Sequence, residues 1–128
     1  MPITSIDVTS ALVVIDMQKG IVKLPTIHPV REIIRNVVRL VDACREKDRA
    51  VVLVHVGFAA DGSDAVKTRT QAPRSAGALP PDFSEYVDEL RADSTRDILI
   101  KKRQWGAFYG TGLDLQLRRR GISNIILC

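Results

Sequence analysis

The chain has 128 residues, 45% of them hydrophobic and 27% charged, with a formal net charge of +4 and a mean hydropathy of +0.02. That is one domain's worth of chain, and its composition excludes a disordered polymer, a collagen-like repeat and a disulfide-dense miniprotein. No apolar run approaches the roughly 20 residues that cross a bilayer, and no basic segment precedes the first apolar run, so neither a membrane span nor a signal peptide is expected. The two cysteines fit a reducing compartment and predict a cytoplasmic protein.

The first element expected is a strand over Ala11-Leu12-Val13-Val14-Ile15, ending at Asp16. It is continuously apolar rather than alternating, the signature of a parallel strand buried on both faces. From Pro29 to about Lys47, Val30, Ile33, Ile34, Val37, Leu40, Val41 and Cys44 form a helical stripe, with Pro29 suited to the first turn. A second apolar run covers Ala50 to Val56 and breaks at Gly57. Residues 57–82 read as a long irregular excursion, a length that is usually functional or mobile. A short helix is expected over Ser84 to Leu90, and a third strand over Asp97 to Ile100. Thr111 to Arg120 reads as a helix, with Thr111 and Asp114 at capping-box spacing and Leu113 and Leu117 on one face. A fourth strand starts at Asn124 and runs to the final Cys128.

Alternating strands and helices predict a doubly wound, Rossmann-like α/β domain over residues 1–128, with a parallel sheet and helices on both faces. All strands then end at one edge, where open α/β sheets bind ligands. That edge would gather Asp16, the Gly57 region, Lys101, Lys102 and Cys128. A buried strand stopping at the last residue lacks a covering helix, so the domain is expected to be truncated, its C-terminal units absent.

The positive charge is uneven. Residues 1–64 hold eight basic against eight acidic side chains, and residues 65–128 hold eleven against seven. Arg118, Arg119 and Arg120 abut Gly121 and read as a helix end, where cations suit the macrodipole. With no interleaved aromatics and no zinc-finger, RRM or KH signature, no nucleic acid partner is expected. A dinucleotide site would need a glycine-rich turn after the first strand, and Asp16-Met17-Gln18-Lys19-Gly20 has a single glycine.

Asp16, after five apolar residues, needs a cation or a donor nearby, unless it merely caps a turn. Lysines at strand ends are usually solvated, but Lys101 and Lys102 would share a crevice with Asp16, where a carboxylate–ammonium pair has chemical use. Trp105 and Phe108 sit in a loop just after that strand and could wall a small planar or apolar substrate, or simply anchor the loop.

Leu12-Val13-Val14-Ile15-Asp16-Met17-Gln18 resembles the opening motif of isochorismatase-like hydrolases. So does the stretch from Lys102 through Gly106-Ala107-Phe108 and Gly110-Thr111 into a leucine-bearing helix, and the helix end and strand from Arg119 to Cys128 fit the same pattern. Counting back from Ala107-Phe108 selects Lys102 over Lys101. The resemblance implies a catalytic Asp–Lys–Cys set, with Asp16 and Lys102 in the first two roles. In the family's amidases the Asp takes the thiol proton, the Lys stabilises the thiolate, and the Cys attacks an amide carbonyl to give an acyl-enzyme. Relatives without the thiol use a protonated Asp on a vinyl ether carbon, which requires a raised carboxyl pKa. The family nucleophile falls about seven positions past Cys128, while Cys44 lies on a helix's apolar stripe and reads as structural. Gln18, Trp105 and Phe108 are the candidate substrate contacts. Arg69, Arg74 and Arg103 could meet an acidic group, although the surface is their default place. Nicotinamidase relatives use Asp-x-His for a metal; Asp61-Gly62-Ser63 lacks the histidine, and His28 and His55 are far apart, so neither metal nor cofactor is expected. The expected function is a small-molecule hydrolase acting on an amide or a vinyl ether, forming a homo-oligomer. The alternative is an inactive relative serving as a ligand-binding or oligomeric scaffold.

Overall fold

A computed structural model describes residues 5–67 and 79–128. Four strands, β1 (Ser10–Ile15), β2 (Ala50–Val56), β3 (Ile98–Lys102) and β4 (Asn124–Leu127), form one sheet in the order β3-β2-β1-β4. Every pairing is parallel. The helices are α1 (Lys19–Val22), α2 (Val30–Glu46) and α3 (Leu113–Arg119), with a single 3-10 turn at Asp88–Leu90.

The strands form where continuous apolar runs allow burial on both sides. Leu12 and Val14 of β1, with Val51 and Leu53 of β2, pack against Val37 and Val41 of α2 and against Leu90. Ala11, Val13, Val52 and Val54 face the other way and meet Leu113 and Leu117 of α3. Helices therefore cover both faces, as the doubly wound expectation required. Burying each of these leucines and valines is worth about 1.5–3 kcal/mol. The edge strand β3 alternates instead: Ile98, Ile100 and Lys102 are buried, whereas Leu99 and Lys101 are exposed. At the opposite edge β4 leaves Ile125 and Leu127 exposed.

Two local expectations change, and one short helix is new. The helix expected over Ser84 to Leu90 shrinks to the 3-10 turn, because the chain before it is drawn into extended pairing with α1. The Lys19 amide donates to the Glu85 carbonyl at 2.8 Å, and Tyr86 bridges Gln18 in antiparallel fashion. α1, only four residues long, has too little sequence to show a period. The capping box at α3 does not form: Gly112 rather than Thr111 is the N-cap, the Leu113 amide donates to Thr111 Oγ1 only two positions back at 3.2 Å, and Asp114 pairs with Arg118 at 2.8 Å. Part of the long excursion, with Arg69 and Arg74, lies outside the described residues.

Candidate active site

β1 and β3 are separated by β2, and their C-terminal ends lie at the same sheet edge. The register pairs Val54 with Ile100 and Val56 with Lys102, so Lys102 shares the α3-facing side of the sheet with its buried neighbours. From there its stem crosses the end of β2. Its Nζ lies 3.2 Å from Asp16 Oδ2 and donates to the Trp105 carbonyl at 3.0 Å. The lysine is only 4% exposed, while the Asp16 side chain is 32% exposed and open to the adjoining hollow. An ammonium has three donors; among the described residues two are used here.

Asp16 itself is held from both sides. Its amide donates to the Val54 carbonyl at 2.9 Å, and its own carbonyl accepts from the Gln18 amide at 2.8 Å. Its φ is 62°, in the left-handed region that non-glycine residues rarely occupy. Its Oδ1 is buried and has no hydrogen-bond partner among the described residues.

The cavity beside this pair measures about 410 Å³, in the range of small-molecule sites. Asp16, Lys102, Arg103, Gln104 and Trp105 contribute its polar rim, and Ile21, Val56, Phe58, Ala65 and Val66 its apolar wall. Trp105 lies at the mouth, 94% exposed. The structure thus brings Asp16, Lys102 and Trp105 together at one cavity.

It does not do so for the other two candidate substrate contacts. Gln18 is fully buried and serves as an internal strap. Its Nε2 donates to the Val56 and Phe83 carbonyls at 2.9 and 2.7 Å, and its Oε1 accepts from the Val56 amide at 2.7 Å. Both of its N–H donors are spent on the backbone, so it has none to offer a substrate. Phe108 is partly exposed and lies outside the cavity wall. Its neighbour Ala107 joins the core, and the Thr111 hydroxyl donates to the Ala107 carbonyl, anchoring this loop. Arg103, read as a surface residue by default, is exposed as expected and also lines the cavity. Its position directly after Lys102 was the available signal.

The histidine environments are dissimilar. His55 Nδ1 contacts the Ser84 carbonyl and its ring packs on Tyr86, whereas His28 is exposed. Among the described residues, no group of three or more His, Cys, Asp or Glu side chains converges. Cys44 and Cys128 are outside the cavity, and burial pushes both thiols up from their ordinary range. Among the described residues, no helix is long and apolar enough to cross a membrane.

A family profile described as the isochorismatase domain matches residues 10–128. The chain belongs to the isochorismatase family. It is 46% identical over 121 residues to the uncharacterised isochorismatase family protein YwoC of Bacillus subtilis, covering 93% of this chain and 61% of that protein. A solved isochorismatase family structure from Burkholderia thailandensis superposes with a TM-score of 0.86 at 40% identity, covering 96% of this chain and 65% of that one. More distantly, the ureidoacrylate amidohydrolase RutB of Rhizobium rhizogenes is 31% identical over 150 aligned positions, covering 98% of this chain and 60% of that protein. The chain spans about three fifths of the length of the curated relatives it matches.

Proposed function

We propose that this isochorismatase-family domain carries the acid–base part of a small-molecule hydrolase site that acts on an amide, with Asp16 as general base and then acid, and Lys102 as its electrostatic partner. The observation that carries the reading is the Lys102–Asp16 contact at 3.2 Å on the wall of a cavity. The Lys102 ammonium sits beside the Asp16 carboxyl group, and Asp16 can take the proton of an attacking thiol of the kind the family resemblance implies. The thiol sulfur bonds to the amide carbonyl carbon, the C–N bond breaks and the amine leaves with the proton that Asp16 took; water then bonds to the acyl carbon as the C–S bond breaks, its proton passing through Asp16 back to the sulfur, and the acid is released. The likeness to an amidohydrolase favours an amide over a vinyl ether as the bond cleaved.

The test is turnover of a panel of small primary amides, ureido compounds and vinyl ethers by the protein and by Asp16→Asn and Lys102→Ala. Each variant is expected to lose about 10²–10⁴-fold in kcat, with an unchanged circular dichroism spectrum. Full activity in both variants would refute the reading. No turnover of any panel member by the parent protein would favour the ligand-binding alternative. Self-association, implied by the family resemblance, is tested by light scattering; a mass of 14.2 kDa per particle would count against it.

A further inference from the structure

Asp16 and Lys102 lie where strands end; a cleft of about 480 Å³ lies where strands begin, lined by Ser10, Ala50 and Ile98, the first residues of β1, β2 and β3. The seven residues of β2, at roughly 3.3 Å each, put about 20 Å between the two sites. Four arginines line the cleft, Arg45, Arg49, Arg96 and Arg120, against two carboxylates, Asp48 and Asp97. Asp97 is fully engaged: it accepts from Arg45 Nε and Nη2 at 3.1 and 2.6 Å and from the Asp93 amide at 3.0 Å. Arg96 lies 3.6 Å from the same carboxylate and donates to the Arg91 carbonyl at 2.6 Å. Arg49 and Arg120 form no ion pair among the described residues. The end of α2 does not use Arg49 as a cap, because the Cys44 carbonyl already accepts from the Lys47 and Arg49 amides. Its side chain is half-buried in the cleft wall. Arg120 does close α3, donating Nη1 to the Gln116 carbonyl at 3.2 Å and to the Gln116 side-chain oxygen, but its Nε and Nη2 stay free of described partners.

We propose that this cleft is a second binding site, taking a phosphoryl dianion whose oxygens accept from Arg49 and Arg120. Four guanidiniums against two carboxylates leave an excess of two positive charges. A phosphate monoester or inorganic phosphate carries between one and two negative charges at neutral pH, its relevant pKa being about 6–7. Planar N–H forks match phosphate oxygens, and a guanidinium stays charged at any pH the fold survives. The Arg45–Asp97 pair fixes one wall from below without spending the other two arginines. Asp48, exposed in the turn between α2 and β2, is the one lining group that opposes an anion.

The experiment is isothermal titration calorimetry at low salt with glycerol 3-phosphate, inorganic phosphate and, as the uncharged control, glycerol. Saturable binding of at least one phosphate and none of glycerol is expected; the tighter of the two phosphates tells an organic ester from the free ion. Arg49→Gln and Arg120→Gln should each raise the Kd about tenfold, and Arg49→Lys should recover part of that loss. Asp48→Asn should lower the Kd. Arg31→Gln removes the same charge about 20 Å away, near the start of α2, and should change the Kd by less than about twofold. Arg120 is exposed, so its variant keeps the test open should Arg49→Gln fail to fold. No saturable binding of either phosphate up to about 10 mM would overturn the proposal. So would an affinity that survives in folded Arg120→Gln and Arg49→Gln. An equal loss in Arg31→Gln would overturn it as well, since that is general attraction to a basic chain and not a site.

Discussion

Asp16 and Lys102 have a stability cost that their chemistry explains. Asp16 combines a left-handed backbone with a buried Oδ1 that has no partner among the described residues, and Lys102 places an ammonium where almost no solvent reaches it. Removing only one partner strands the other, whereas replacing both by uncharged groups removes the desolvation cost of the pair. The double variant Asp16→Gly/Lys102→Met also relieves the φ of 62°. It is expected to unfold at higher denaturant, by about 1–2 kcal/mol, while losing activity. A double variant less stable than the parent would show that the pair holds the fold together. Gln18 is the opposite case. Gln18→Ala would leave the Val56 N–H without its partner and would take one donor each from the Val56 and Phe83 carbonyls, the latter keeping the Gly20 amide at 3.1 Å. Chemical denaturation should show a loss of about 2–4 kcal/mol. A loss under about 0.5 kcal/mol would contradict the strap assignment.

Between elements, the most buried ion pair joins α2 to the start of β3, on the side of the sheet remote from the cavity. Arg45 donates to both oxygens of Asp97, at 3.1 and 2.6 Å, and to the Leu90 carbonyl at 2.9 Å. The Asp97 side chain is 1% exposed, so Asp97→Ala leaves a largely buried guanidinium with only the more distant Asp42, at 3.7 Å, as counter-charge. Equilibrium unfolding is expected to show a cost of about 3 kcal/mol, with hydrolysis kinetics unchanged per folded molecule. A change in KM with stability intact would place Asp97 in the substrate path instead. The long elements were legible because their signals are local: the stripe from Val30 to Cys44 and the runs of β1 and β2 each carry their period within their own residues. The short ones were not. α1 and the segment before the 3-10 turn take their shapes from each other, through Lys19–Glu85 and Gln18–Tyr86 contacts that span more than sixty residues.

For the whole molecule, the groups displaced upward by burial set an alkaline limit. Tyr86, whose hydroxyl donates to the Leu53 carbonyl at 2.8 Å, is pushed well above the ordinary phenol range by burial, and the Cys44 and Cys128 thiols are raised for the same reason. A folded state that holds these protons longer than the unfolded chain is stabilised below the unfolded values and loses that stability as pH rises through them. Those values are about 8.5 for a thiol and about 10 for a phenol. Thermal melts should therefore show a Tm that falls progressively from about pH 8 to 11, with Tyr86→Phe flattening the upper part of the fall. A Tm independent of pH over that range would contradict the burial of these groups. The sequence by itself determined the α/β class, the four strands, the long helix and the membership of the acid and the lysine in one motif set, because apolar period and motif spacing are properties of neighbouring residues. Only the tertiary structure decided that Lys102 reaches Asp16 across 86 positions, that Gln18 turns inward and that Arg103 lines the cavity. Side-chain direction at a strand end depends on which strand lies alongside and what fills the space beyond it, and no local stretch of chain carries that information.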